Sequence, residues 1–206
     1  MRRLPLTAAQ RGIWFADRLA ADPAAFVTAD IVRLPAQMDA ARLATAVRTA
    51  LSEIPGFHAR IDDDEGEPFQ ELPDHPEPDV PIVEMPDAET ARAWAEEDSR
   101  RAMDPASGVL CRQAVIRIPG EGVWWYQAVH HLATDGYATS LLLRRVTEIH
   151  DAADGVPPSR LRDIGVLLDL DAEYETSERA ASDRNHWTRV LAGAEGAKRD
   201  PGEHLL

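Results

Sequence analysis

With 206 residues, 44% of them apolar, the chain can form one large domain or a lobe of a larger one around a real core, and wholesale disorder is excluded. Its 22 basic and 36 acidic residues give a net charge of -14, which repels nucleic-acid phosphates and anionic lipid headgroups and argues against both as main ligands. The lone cysteine, Cys111, rules out an internal disulfide or thiolate metal cluster, and no apolar run approaches the roughly 20 residues that span a bilayer.

The start, Met1-Arg2-Arg3-Leu4-Pro5, lacks the apolar centre of a signal peptide, so the chain reads as cytoplasmic. Thr7 to Ala20 is predicted as an amphipathic helix, with Thr7 and Gln10 at the spacing of a capping box. Phe26 to Leu34 follows as a strand. Asp39 caps a second helix whose Leu43, Ala46, Val47, Ala50, Leu51 and Ile54 share one face. Phe57 to Ile61 and Pro68 to Leu72 flank the polar turn Asp62-Asp63-Asp64-Glu65-Gly66 and predict a β-hairpin; the acidic turn reads as solvated rather than as a cation site. Pro73 to Pro86 is an ordered loop around a short strand at Val80 to Val83, and a helix runs from Asp87 to Met103. Val109 to Ile118 and Gly122 to Val129 form a second hairpin, with Cys111 as a small core residue. Tyr137 to Ala153 and Ser177 to Leu191 are helical, and residues 193–206 have a linker's composition. The alternation predicts an α/β domain with a mixed sheet flanked by helices.

The densest chemistry lies at Ala128-Val129-His130-His131-Leu132-Ala133-Thr134-Asp135-Gly136, between a strand and a helix. Imidazole titrates near neutrality, so it can take a proton from an attacking nucleophile or stabilise the charge that develops there. Strand alternation sends His130 and His131 to opposite faces, so at most one of them enters a given pocket. Asp135 can cap the following helix, and its carboxylate could also fix the loop through an arginine. Gly136 places no Cβ at the helix start, where the helix's positive end favours a developing oxyanion.

His130-His131-Leu132-Ala133-Thr134-Asp135-Gly136 resembles the HHxxxDG signature of nonribosomal peptide synthetase condensation domains, members of the chloramphenicol acetyltransferase-like superfamily. Leu6-Thr7-Ala8-Ala9-Gln10-Arg11-Gly12-Ile13-Trp14-Phe15 resembles their first motif, SxAQxRxW, and Asn185 to Gly193 resembles the YWxxxLAG segment that closes the first half of such domains. The resemblance implies a chloramphenicol acetyltransferase-like lobe: residues 1–192 as the N-terminal lobe and 193–206 as a linker toward a C-terminal lobe. In the family's RHExLRTxF segment this chain has Glu53 to Ile61, with His58 near a motif arginine's place and Arg60 retained. His58 and Arg60 are therefore the expected partners of Asp135.

The reaction the resemblance implies is attack by the amine of an aminoacyl thioester on an acyl or peptidyl thioester, with donor and acceptor carrier proteins delivering both on phosphopantetheine arms. His131 is the expected catalytic residue, as base or as positioning group, while His130, Asp135 and Gly136 shape the motif. No metal or redox cofactor is expected, because thioesters are already activated. Two alternatives are a non-catalytic lobe that docks carrier proteins and a related acyltransferase or epimerisation domain.

Overall fold

A computed structural model describes residues 1–35 and 37–192. The expected linker at 193–206 lies outside the described residues. Helix starts follow the local chemistry: side chains that accept from the otherwise orphaned amides of the first turn. Thr7 opens α1 (Ala8–Leu19) with the full capping box, Thr7 Oγ1 accepting from Gln10 N–H (3.2 Å) and Gln10 Oε1 from Thr7 N–H (3.1 Å). Asp39 caps α2 (Ala40–Ser52), Asp87 caps α3 (Ala88–Ser99), Asp135 caps α4 (Gly136–Asp151), Asp163 caps α5 (Ile164–Glu175) and Ser177 caps α6 (Glu178–Leu191).

The strands are β1 (Arg2–Pro5), β2 (Val27–Arg33), β3 (Arg60–Asp64), β4 (Glu67–Leu72), β5 (Ile82–Glu84), β6 (Cys111–Ile118) and β7 (Gly122–His130). They build two sheets. A four-stranded mixed sheet has the order β2-β7-β6-β5, with β5 parallel to β6 and the other pairs antiparallel. A smaller antiparallel sheet has the order β1-β4-β3.

β7 is buried on both faces, and its period-two alternation divides the core. Val123, Trp125 and Val129 pack with Leu43, Val47 and Leu51 of α2 and with Leu142 and Val146 of α4. Trp124, Tyr126 and Ala128 pack with Ala91 and Ala95 of α3. A third cluster joins Leu6, Trp14, Ile61, Leu72, Leu110 and Leu132, tying α1 and the small sheet to the segment after β7.

Several boundaries differ from the sequence expectation. The first hairpin turns on Glu65 and Gly66 alone, both left-handed (φ 52° and 91°), the backbone a two-residue turn needs to match strand twist. Asp62, Asp63 and Asp64 therefore pair within β3, opposite Phe69, Pro68 and Glu67. Pro55 starts a 3-10 turn over Pro55–His58, which delays β3 to Arg60. Beyond Ser99 the expected third helix gives way to a loop and a 3-10 turn over Pro105–Ser107. β1 and α5 carry no clear pattern in the sequence. β1 is a four-residue edge strand ending in proline, and α5 buries none of its residues, so neither shows a one-sided apolar period.

Candidate active site

β7 ends at His130, and the chain crosses to α4 in five residues. The His130 N–H donates to Leu110 O (2.9 Å), the His131 N–H to Phe26 O (2.8 Å) and the Ala133 N–H to His130 O (2.9 Å). These bonds hold the segment at the end of β7, between the ends of its neighbours β2 and β6. Asp135 Oδ1 then accepts from the Ala138 N–H (2.7 Å) and starts α4. A Cβ added at Gly136 would meet nothing within 4 Å, so the space beside this backbone is open.

The two imidazoles have different surroundings. His130 is buried, 1% exposed, and stacks on Phe26 with ring centroids 6.5 Å apart. Its Nδ1 accepts from the Leu132 N–H (3.2 Å), which leaves the proton on Nε2. That nitrogen stands 3.6 Å from Asp17 Oδ1, long for a hydrogen bond but close enough for attraction. Burial pushes His130 below the ordinary imidazole range and outweighs the opposing pull of Asp17, so the ring is neutral.

His131 is half-buried, and its Nδ1 lies 3.3 Å from Thr134 O. A carbonyl can only accept, so Nδ1 carries the proton and Nε2 keeps its lone pair. Among the described residues Nε2 makes no hydrogen bond. One ring is thus a fixed, neutral part of the wall; the other is held through Nδ1 alone, its Nε2 without a partner among the described residues.

The expected pairing of Asp135 with His58 or Arg60 is not made. Arg60 is engaged by Glu71 (2.8 Å) across the hairpin and by Asp62 beside it, because both carboxylates lie on its own small sheet. His58 ends the 3-10 turn with its Nε2 buried and unpartnered, and burial pushes the imidazole down, which disfavours the cation needed to face a carboxylate. Asp135 forms no ion pair among the described residues; its carboxylate serves the helix cap.

One contribution escaped the sequence. Gln10, expected only as the capping partner of Thr7, also donates from Nε2 to Leu132 O (3.0 Å). Cys111 is a core residue as expected, its thiol pushed up to about 12 by burial and so held un-ionised. In the acidic hairpin Asp63 pairs with Arg18 and Asp64 with Arg3.

The histidine loop thus joins the central strand of a mixed sheet to a capped helix, and the comparisons with known proteins give that arrangement its family. The chain belongs to the condensation-domain family, whose sequence model, described as "Condensation domain", matches residues 1–199. It is 33% identical over 200 residues to the isonitrile lipopeptide synthase of Streptomyces coeruleorubidus, an alignment covering 92% of this chain and 14% of that protein. It is 30% identical over 196 residues to the dimodular nonribosomal peptide synthase of Bacillus subtilis (strain 168), covering 92% of this chain and 8% of the relative. Among solved structures, the first condensation domain of the calcium-dependent antibiotic synthetase superposes with TM-score 0.84 at 22% identity, over 95% of this chain and 49% of that one. The starter condensation domain of rhizomide synthetase gives 0.79 at 23%, over 95% and 49%. The fold is therefore that of a condensation domain, and the chain spans about half of such a domain. No described helix is long and apolar enough to cross a membrane.

Proposed function

We propose that the chain supplies the histidine-bearing half of a peptide-bond-forming site. The observation that carries this reading is the contact of His131 Nδ1 with Thr134 O (3.3 Å), which takes up Nδ1–H and turns Nε2 to the amine. The amine of an acceptor aminoacyl thioester sits at Nε2 and attacks the carbonyl carbon of a donor acyl or peptidyl thioester. A C–N bond forms and the C–S bond breaks. The amine's proton passes to Nε2 and on to the departing thiolate, which regenerates the neutral ring. Both thioesters arrive on phosphopantetheine arms of carrier proteins. His130 and Asp135 hold the loop and helix that frame the ring, and Gly136 leaves the approach open.

The remaining wall of the site comes from the other half of the domain. In support, α5 and α6 expose an apolar surface, Leu167, Leu170, Trp187 and Leu191 each being more than half exposed. The solved domains it resembles are about twice as long, this chain covering 49% of them, which leaves a second half to cover that surface. The test is His131→Ala in the complete domain, followed by product formation from loaded carrier proteins. Loss of product with an unchanged melting profile is expected; undiminished product removes the assignment. A purely docking lobe is the reading that remains if the wild-type domain binds loaded carriers without turnover.

A further inference from the structure

We propose that Gln10 is a positioning residue for His131, holding through its side-chain amide the backbone of the loop that presents the imidazole. This rests on the reading of His131 as the reacting base. Leu132, next to it, is buried at 2% exposure, and side chains meet both of its backbone polar groups. His130 Nδ1 takes its N–H (3.2 Å) and Gln10 Nε2 gives to its C=O (3.0 Å). A buried carbonyl that lost this donor would turn toward another partner and carry its neighbours with it. Two residues on is Thr134 O, the acceptor that fixes the proton on His131 Nδ1. The position of Leu132 C=O is therefore linked to which nitrogen of His131 is basic.

The orientation of the Gln10 amide is fixed by its partners. The Thr7 N–H requires an acceptor and Leu132 C=O requires a donor, so Oε1 faces the first and Nε2 the second. Oε1 also accepts from Gln70 Nε2 (3.2 Å), and Gln70, fully buried, donates to Pro5 O (2.9 Å). The side chain is thus anchored at the helix start, on β4 and on the loop. Trp14 of α1 and Leu132 share one apolar cluster, so helix and loop are also packed as a unit. Asp17, on the same helix, faces the other imidazole at 3.6 Å. The first helix is the platform of the site.

Gln10→Glu separates positioning from capping. Glutamate keeps the acceptor for the Thr7 N–H and suits a helix's third position, but it has no N–H to give Leu132. With imidazole-15N labelling of the full chain, wild-type His131 is expected in the Nδ1–H form, and Gln10→Glu is expected to lose that preference while still folding, its melting temperature lowered by the stranded Leu132 carbonyl. In the complete domain kcat is expected to fall about 10- to 100-fold with KM for the carriers unchanged. Thr7→Val, which breaks the cap and spares the Leu132 contact, should lower stability but keep tautomer and kcat. If Gln10→Glu does not fold, Gln10→Met is read in its place, being neutral, close in size and without the donor. Native tautomer and kcat in a folded Gln10 variant overturn the proposal, as does an equal loss of kcat in Thr7→Val. Should His131→Ala prove fully active, the functional reading fails, and the tautomer measurement still decides whether Gln10 positions the ring.

Discussion

His130→Phe isolates the structural half of the histidine pair. The new ring has the size to keep the stack on Phe26, now at 6.5 Å between centroids, but it offers no acceptor to the Leu132 N–H. That donor sits in a residue only 2% exposed, so water cannot replace the lost partner. An unsatisfied buried donor costs about 1–3 kcal/mol. Loss of the attraction to Asp17 adds little, because 3.6 Å is already long and the neutral ring pairs weakly. For a chain of this size the expected fall in melting temperature is about 2–12 °C. Urea or thermal denaturation of wild type, His130→Phe and His131→Phe side by side provides the measurement. The second variant should melt with the wild type, because His131 Nδ1 makes one hydrogen bond, at 3.3 Å, on a half-buried ring. A His130→Phe change below about 0.5 kcal/mol, the level of an ordinary surface substitution, would refute the claim that this imidazole holds Leu132 in place.

Three further outcomes follow from the same contacts. Asp135→Asn should retain stability, since asparagine caps as well as aspartate and the carboxylate makes no ion pair among the described residues; Asp135→Ala should lose about 0.5–2 kcal/mol, read by denaturant midpoint. Arg145, 2% exposed, grips both oxygens of Glu53 (2.6 and 2.7 Å) and donates to Pro157 O (2.7 Å), joining α4 to the end of α2. Arg145→Met strands that carboxylate and should cost about 3 kcal/mol, the lower end of the range for breaking a buried pair because the Glu53 side chain is 21% exposed. The third concerns pH. His130 titrates lower folded than unfolded, so the unfolded chain binds more protons, and stability rises with pH in that window. Its contribution is complete above the ordinary imidazole value of 6.5 and is lost as pH falls toward the folded one; His130→Phe should flatten the stability profile just below neutrality. Asp98 acts at lower pH. Burial raises its carboxyl, but hydrogen bonds from Arg112 and Tyr126 and the charges of Arg112 and Arg101 outweigh that and leave it lowered, so its contribution fades as pH drops below about 4.

The elements legible in the sequence are those set by neighbours along the chain. Thr7 with Gln10, Asp39 and Asp135 lie within three residues of the amides they cap, so spacing alone locates three helix starts. Strand alternation likewise separates His130 from His131 before any packing is known, and the HHxxxDG and AQR motifs are local strings. Elements that depend on a distant partner are less visible. β5 is expected at Val80 to Val83 and lies at Ile82–Glu84, its bounds set by its parallel pairing with β6, while α5 buries no residue and so lacks an apolar stripe. The family resemblance made Arg60 an expected partner for Asp135, but the small sheet sets Glu71 and Asp62 beside it first.

By itself, then, the sequence determined the family, the mixed-sheet class, the caps and the candidate His131. Tertiary structure decided the division of labour around it: which nitrogen of each imidazole carries the proton, which charges pair, and that Gln10 reaches Leu132 across 122 residues of chain. The physical reason is range. Caps and alternation are set by covalent geometry within a few residues, whereas a buried carbonyl or imidazole takes its state from whatever donor or acceptor folding brings against it.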